Sequence, residues 1–220
     1  MAKIKVGVIA GTSVDTAMGA SVLEAHGYEA LKCPISQRTE EQTILQVLHR
    51  EQLTRITLEK IEWLKANGVD GILIYCNSLS TSVDLDWIRE KSDIIIVTPL
   101  DVYKKIAKAY YKIGVLAANC QSAGGIEKIF YDNNPDILVV GAGMMPVVQA
   151  IEASMGPSNI VNSLGIKEIV RGMLAMGVET IVLGCTHFPY FVQELKSICD
   201  VPVYDPASEM INLLSLALNA

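Results

Sequence analysis

Five cysteines are spread along the 220 residues, and two of them occupy matching surroundings. Cys76 follows the apolar run Gly71-Ile72-Leu73-Ile74-Tyr75 and precedes Asn77-Ser78. Cys185 follows Thr180-Ile181-Val182-Leu183-Gly184 and precedes Thr186-His187. A thiolate can take a proton from carbon, and a thiol can return one. Two such groups facing one carbon from opposite sides would remove a hydrogen from one face and deliver another to the other face. A redox pair is a further option, and it requires sulfurs within bonding distance. A lone cysteine at the end of a buried strand is ordinarily a small hydrophobe. That bland role is the expectation for Cys33, Cys120 and Cys199, which lack the matched setting.

The elements that must hold these thiols alternate strand and helix. Strands are expected at Lys5–Ala10, Tyr28–Cys33, Gly71–Tyr75, Ile94–Val97, Lys112–Ala117, Ile137–Val140, Thr180–Leu183 and Val201–Tyr204. Helices are expected at Asp15–His26, Pro99–Tyr111, Ser122–Tyr131, Asn159–Met176, Pro189–Ile198 and Ser208–Leu218. A long amphipathic helix is expected over Thr39–Ala66, with Thr39 as N-cap, Gln42 completing a capping box and Gly68 ending it. Residues 141–158 are left as either a helix flanked by loops or a cover. The alternation predicts an α/β fold with parallel sheets and helices on both faces.

Three segments recur in order. Val6-Gly7-Val8-Ile9 matches Ile113-Gly114-Val115-Leu116 at an offset of 107. Gly68–Cys76 matches Gly177–Cys185 at 109, and Ile94–Pro99 matches Val201–Pro206 at 107. Order and spacing together predict two similar parallel-sheet halves related by a pseudo-twofold, with the active site between them. The expected division is residues 1–98 plus the closing helix 206–220, and residues 99–205. Ligands of parallel sheets bind beyond the carboxyl ends of strands. Four such ends carry small polar residues: Gly11-Thr12-Ser13, Cys76-Asn77-Ser78, Ala118-Asn119 and Cys185-Thr186-His187.

Composition bounds the rest. Half of the residues are apolar, enough for a sizeable core. The formal net charge of −6 argues against nucleic acid as a general partner. No apolar run reaches membrane-spanning length, so no membrane partner is expected. The opening Met1–Val6 leads directly into a strand pattern, and a cytoplasmic location is expected. There is no C-x-x-C or H-E-x-x-H motif, so neither a disulfide framework nor a metal site is expected. Gly11-Thr12-Ser13 lacks the G-K-[ST] of a phosphate loop, and a dinucleotide-binding glycine pattern is also missing.

Cys76-Asn77-Ser78 resembles the first cysteine motif of the aspartate/glutamate racemase family, and Gly184-Cys185-Thr186-His187-Phe188-Pro189 is similar to its second. Gly7-Val8-Ile9 and Ile113–Leu116 extend the likeness over nearly the whole chain. The resemblance implies a cofactor-independent racemase with no pyridoxal phosphate, in which one thiolate abstracts the α-hydrogen and the opposite thiol returns a proton. It implies an amino acid as the small-molecule partner and leaves a homodimer open. Cys76, Cys185 and His187 are then the catalytic candidates. Asn77, Ser78 and Thr186 are candidates to hold the α-carboxylate, with Gly11, Thr12, Ser36, Arg38 and Asn119 as further substrate-binding candidates. Pro34-Ile35-Ser36 and Arg38 sit where the family carries a substrate-side loop, and Arg38 could pair with a side-chain carboxylate.

Two departures bear on the substrate. Glutamate racemases carry Asp-Ser after the first strand, where this chain has Ala10-Gly11, with Asp15 as the nearest acid. Aspartate racemases resemble Ala10-Gly11-Thr12 better but usually carry Glu at the position of His187. The expected substrate is glutamate or aspartate. The alternatives are a hydantoin racemase, a maleate isomerase, or a non-catalytic amino-acid-binding protein on the same fold.

Overall fold

A computed structural model describes residues 3–220, so the opening Met1 and Ala2 lie outside the described residues. The chain forms two compact units, one of residues up to Asp101 together with Ala207–Ala220, the other of Val102–Pro206.

The N-terminal unit runs β1 (Lys5–Ile9), α1 (Ser13–Ala25), β2 (Glu29–Lys32), α2 (Thr39–Leu48), α3 (Arg50–Ala66), β3 (Gly71–Ile74), α4 (Asn77–Ser82), α5 (Leu85–Ser92) and β4 (Ile96–Val97). Its strands pair in parallel in the order β2-β1-β3-β4. Helix α6 (Pro99–Ile106) spans the division. The second unit then runs β5 (Lys112–Ala117), α7 (Cys120–Asn133), β6 (Leu138–Gly143), α8 (Met145–Glu152), α9 (Pro157–Ser163), α10 (Ile166–Ala175), β7 (Thr180–Gly184), a 3-10 turn (Phe188–Phe191), α11 (Val192–Lys196) and β8 (Val203–Tyr204). Its parallel order is β6-β5-β7-β8, the same pattern as the first. The closing α12 (Ala207–Leu218) returns to the N-terminal unit, where Leu214 and Leu218 lie over Gly71 of β3.

The repeated sequence has a repeated physical cause. A Cβ on Gly7 would lie 2.7 Å from Leu64 Cδ1, and one on Gly114 would lie 3.0 Å from Met173 Sδ. Each glycine sits mid-strand where the helix leading into the neighbouring strand, β3 or β7, packs close. The edge acids match as well. Asp70 accepts the Lys5 backbone N–H at 2.8 Å, and Glu179 accepts those of Tyr111 and Lys112 at 2.7 and 3.1 Å. Lys5 Nζ donates to the Asn67 carbonyl and Lys112 Nζ to the Met176 carbonyl, holding the last helical turn against the start of the central strand. The two inner strands of each sheet are dry: Val6, Val8, Ile72, Leu73, Ile113, Val115, Ile181 and Val182 are all fully buried.

Several expected elements differ. The helix expected over Thr39–Ala66 is two helices joined at His49, whose φ of −131° and ψ of 45° are not helical. Arg38 takes the N-cap position rather than Thr39. The apolar stripe runs through the break without proline or glycine, so periodicity alone reads one helix. The break accompanies Arg50, whose guanidinium donates to the Ser82 and Thr81 carbonyls at the end of α4. Asn159–Met176 also divides, because Gly165 takes a left-handed φ of 72° between α9 and α10. Helix α6 stops at Ile106, short of Tyr111, and the first turn of Pro189–Ile198 is 3-10. Helices α4 and α5 were not anticipated. Residues 141–158 hold the end of β6, all of α8 and the start of α9. Among the described residues no helix is long and apolar enough to cross a membrane.

Candidate active site

In the N-terminal unit, β1 leads into Ala10-Gly11-Thr12. The Ile35 and Ser36 backbone N–H groups bond to the Ala10 and Gly11 carbonyls at 3.0 Å, so the segment after β2 continues alongside β1. Ser36 Oγ, itself buried, also donates to the Gly11 carbonyl at 2.8 Å. Thr12 is the N-cap of α1, and Asp15 closes the capping box. The Asp15 carboxylate accepts from the Gly11 and Thr12 N–H groups at 3.2 and 2.7 Å and from Thr12 Oγ1 at 3.1 Å. The acid closest in sequence to the β1 end is thus engaged in fixing that loop.

Beyond β3, Cys76 is the N-cap residue of α4, with extended backbone, and Asn77 and Ser78 form the helix's first turn. All three are buried. Cys76 Sγ lies 3.4 Å from Ser78 Oγ, which accepts a 2.8 Å hydrogen bond from Gln46 Nε2 of α2. Ser80 and Ser82 donate back to the Cys76 and Ser78 carbonyls, stabilising a short helix of poor intrinsic propensity. Gly11, Thr12, Ser36, Cys76, Asn77 and Ser78 therefore share the carboxyl edge of one sheet. Arg38 stands just beyond, with its side chain exposed and its carbonyl receiving the Gln42 N–H.

In the second unit, β7 delivers Gly184 and then Cys185, Thr186 and His187, the last three 5%, 6% and 3% exposed. The 3-10 turn after them is locked by Phe188 and Phe191, both fully buried, with ring centroids 5.3 Å apart. Residues three apart eclipse in a 3-10 helix, which is why these two rings meet on one side, tilted by 44° to each other. His187 is fixed as the lead-in to this turn. Its Nδ1 lies 3.7 Å from Cys185 Sγ, and its Nε2 lies 3.0 Å from Glu152 Oε1. Glu152 is the last residue of α8, an end where a carboxylate is disfavoured by the helix dipole unless a donor compensates. Asn119 is the N-cap of α7, where its Oδ1 accepts the Ser122 N–H at 2.8 Å. It sits at the end of β5 as expected, with that side-chain oxygen committed to the cap.

Sequence reading missed two partners, Gln46 and Glu152, which reach Ser78 and His187 from 32 and 35 residues away. The remaining cysteines behave differently. Burial pushes the Cys33 thiol above its ordinary value, with Lys60 opposing. Burial likewise raises Cys199, against the Val201 backbone contact. Both are thereby kept as protonated, weakly nucleophilic thiols. Cys120 is exposed. Among the described residues no group of three or more His, Cys, Asp or Glu is placed to hold a metal ion.

A family profile described as Asp/Glu/Hydantoin racemase matches residues 49–214, three-quarters of the chain, including both cysteine motifs. The chain belongs to this family. A glutamate racemase of Persephonella marina is 26% identical over 152 residues, covering 68% of this chain and 58% of that protein. The chain spans between 52% and 58% of the length of the first curated relatives it matches. In fold, it is similar to a glutamate racemase from Francisella tularensis in complex with D-glutamate, with a TM-score of 0.76 at 17% identity. That match covers 97% of this chain and 80% of the other. An allantoin racemase from Klebsiella pneumoniae is nearly as similar, with a TM-score of 0.72 at 17% identity, covering 98% and 89%. The family fold thus serves proteins with different named substrates, and these likenesses carry the fold rather than the specificity.

Proposed function

We propose that the protein is a cofactor-independent racemase that interconverts the L- and D-forms of an acidic amino acid, glutamate or aspartate, by proton transfer at Cα through Cys76 and Cys185. The observation that carries this reading is the Cys185–His187–Glu152 chain. Glu152 accepts Nε2–H of His187, which leaves Nδ1 directed at the Cys185 sulfur. An imidazole so oriented can take the thiol proton, and the imidazolium formed is stabilised by the carboxylate beside it.

In this reading each strand-end cluster addresses one face of the substrate. The Cys185 thiolate takes the α-hydrogen, the electron pair moves into the substrate carboxylate as an enediolate, and the Cys76 thiol returns a proton to the other face. Each turnover takes one proton from the substrate and returns one, leaving Cys185 as thiol and Cys76 as thiolate; turnover in the reverse direction, or proton exchange with water, restores the starting pair. In this reading Asn77, Ser78 and Thr186 supply small donors to the α-carboxylate, whose charge grows in the transition state. Membership of the racemase family supports this assignment over a binding protein without chemistry.

The test is chiral chromatography of each L- and D-amino acid after incubation in deuterium oxide. The expected result is enantiomer interconversion with deuterium at Cα for glutamate or aspartate, without added cofactor. Tight binding with no exchange at Cα would sink the racemase reading, and turnover of only neutral, basic or cyclic substrates would sink the acidic assignment.

A further inference from the structure

Helix α2 buries two glutamines where an amphipathic helix ordinarily buries apolar side chains. Gln42 is 5% exposed and Gln46 is 1% exposed. Four residues apart, they lie on one face of the helix, turned toward the carboxyl edge of the N-terminal sheet. Gln46 has its partner in Ser78 Oγ. Gln42 is engaged at one end only. Its Oε1 faces Ser36 Oγ at 3.4 Å, while its Nε2 is buried and makes no hydrogen bond to any described residue. A buried N–H left unmatched is costly, and natural structures retain such groups where something else satisfies them.

The setting of that nitrogen is specific. A Cβ on Gly11 would lie 3.0 Å from Gln42 Cγ and 3.4 Å from Nε2, so the carboxamide occupies the space that a side chain at position 11 would fill. The Ser36 hydroxyl gives its one hydrogen chiefly to the Gly11 carbonyl at 2.8 Å, so the 3.4 Å contact with the other end of the amide is a weak one. The unused donor therefore stands at the end of β1. It is one helical turn from the glutamine that holds Ser78 beside Cys76.

We infer that Gln42 is a substrate-positioning residue, its Nε2–H donating to a carboxylate oxygen of the amino acid bound at this sheet edge. The inference rests on the reading that the protein takes an amino acid there. The chemistry selects the carboxylate because an ammonium group offers only donors, whereas each carboxylate oxygen is an acceptor. A neutral donor meeting a charged acceptor away from water gives up about ten- to a hundredfold in affinity when removed.

Calorimetric binding and steady-state kinetics of Gln42→Met and Gln42→Glu test this, with glutamate, aspartate, their side-chain amides and their α-decarboxylated amines as probes. Methionine keeps the length and removes the donor, and glutamate keeps the shape and replaces the donor with an acceptor. The expected result is a KM and dissociation constant raised about ten- to a hundredfold, with kcat changed much less, for either variant that melts like the parent. The deficit should vanish for the one analogue that lacks the contacted carboxylate. Binding within twofold of the parent in a folded variant overturns the inference, as does an equal deficit against every analogue. A parent that binds with this pattern but never racemises refutes the racemase reading and keeps Gln42. Racemisation with binding indifferent to Gln42 does the reverse.

Discussion

The Glu152→Gln variant isolates the electrostatic part of the Cys185 site. Glutamine keeps the volume and one amide oxygen to accept His187 Nε2–H, so the ring can stay where it is. What is lost is the negative charge 3.0 Å from an imidazole whose side chain is 4% exposed, with Glu152 itself only 18% exposed. If His187 becomes imidazolium as Cys185 becomes thiolate, the full charge pair 3.0 Å apart is worth up to about 5 kcal/mol at an effective dielectric of about 20. A neutral amide acceptor recovers part of this, leaving a loss of about 2–3 kcal/mol. That corresponds to roughly a 30- to 150-fold fall in kcat/KM. The two enantiomers have equal free energy, so kcat/KM must fall by the same factor in both directions. The directions separate in the isotope effect. Deuterium at Cα should slow the variant more in the direction where Cys185 abstracts, because that step has become more rate-limiting. The assay is circular dichroism from each enantiomer, protonated and deuterated, with thermal melting to confirm folding. A folded variant within threefold of the parent, or an isotope effect unchanged in both directions, would refute the argument that Glu152 acts through His187 on Cys185.

Serine at either paired cysteine should abolish racemisation, since a hydroxyl is a far weaker acid and a poor base near neutrality. Cys33→Ser, Cys120→Ser and Cys199→Ser should keep most activity, and equal losses across all five variants in chiral assays would contradict the pairing. For stability, the Lys112 and Tyr111 backbone N–H groups hold the Glu179 carboxyl below the usual carboxylate range, with the Lys112 charge adding to the effect. Its folded value lies below its unfolded one, so its contribution is present at neutral pH and lost as pH falls through the carboxylate range. Glu179→Gln should therefore lower the melting temperature at pH 7, and the difference should close on acidification. A gap that widens in acid would reverse the sign of this argument.

The sheets and both cysteine positions were legible because buried parallel strands read as continuous Val/Ile/Leu runs, and because the two halves repeat the same glycines and edge acids. What was not legible came from tertiary contacts. Helix α4 is a serine-rich segment that no propensity favours; its hydroxyls bond back to the Cys76 and Ser78 carbonyls once Cys76 caps it. The break at His49 leaves no mark in the periodicity, because Gln42, Gln46, Leu53, Thr57, Ile61 and Leu64 keep one phase across it. Gln46 and Glu152 were missed because sequence distance hides them. Polar residues at inward positions of α2 were the available sign for the glutamines. For Glu152, the only hint was an acid ending a helix in a stretch whose structure the pattern left open.

The two strand-end clusters show how one duplicated topology can carry two different acid–base environments. Both cysteines leave the same strand position, the neighbour of the central strand in an identical order of four. The chain then takes a different course in each unit. After β3 it turns at once into α4, so the group brought within 3.4 Å of Cys76 is a hydroxyl two residues on, itself held by a glutamine amide. After β7 a 3-10 turn anchored by two phenylalanines holds the residue two places on at a different angle. There the group is an imidazole backed by a carboxylate. A hydroxyl and an amide can orient a thiol without changing charge near neutrality, whereas an imidazole–carboxylate pair can store a proton. A racemase needs one sulfur charged and one protonated at the start of every turnover, and opposite assignments in the two directions. In the proposed two-thiol reaction, the only one of the two clusters with a group able to hold that proton would be the one around Cys185.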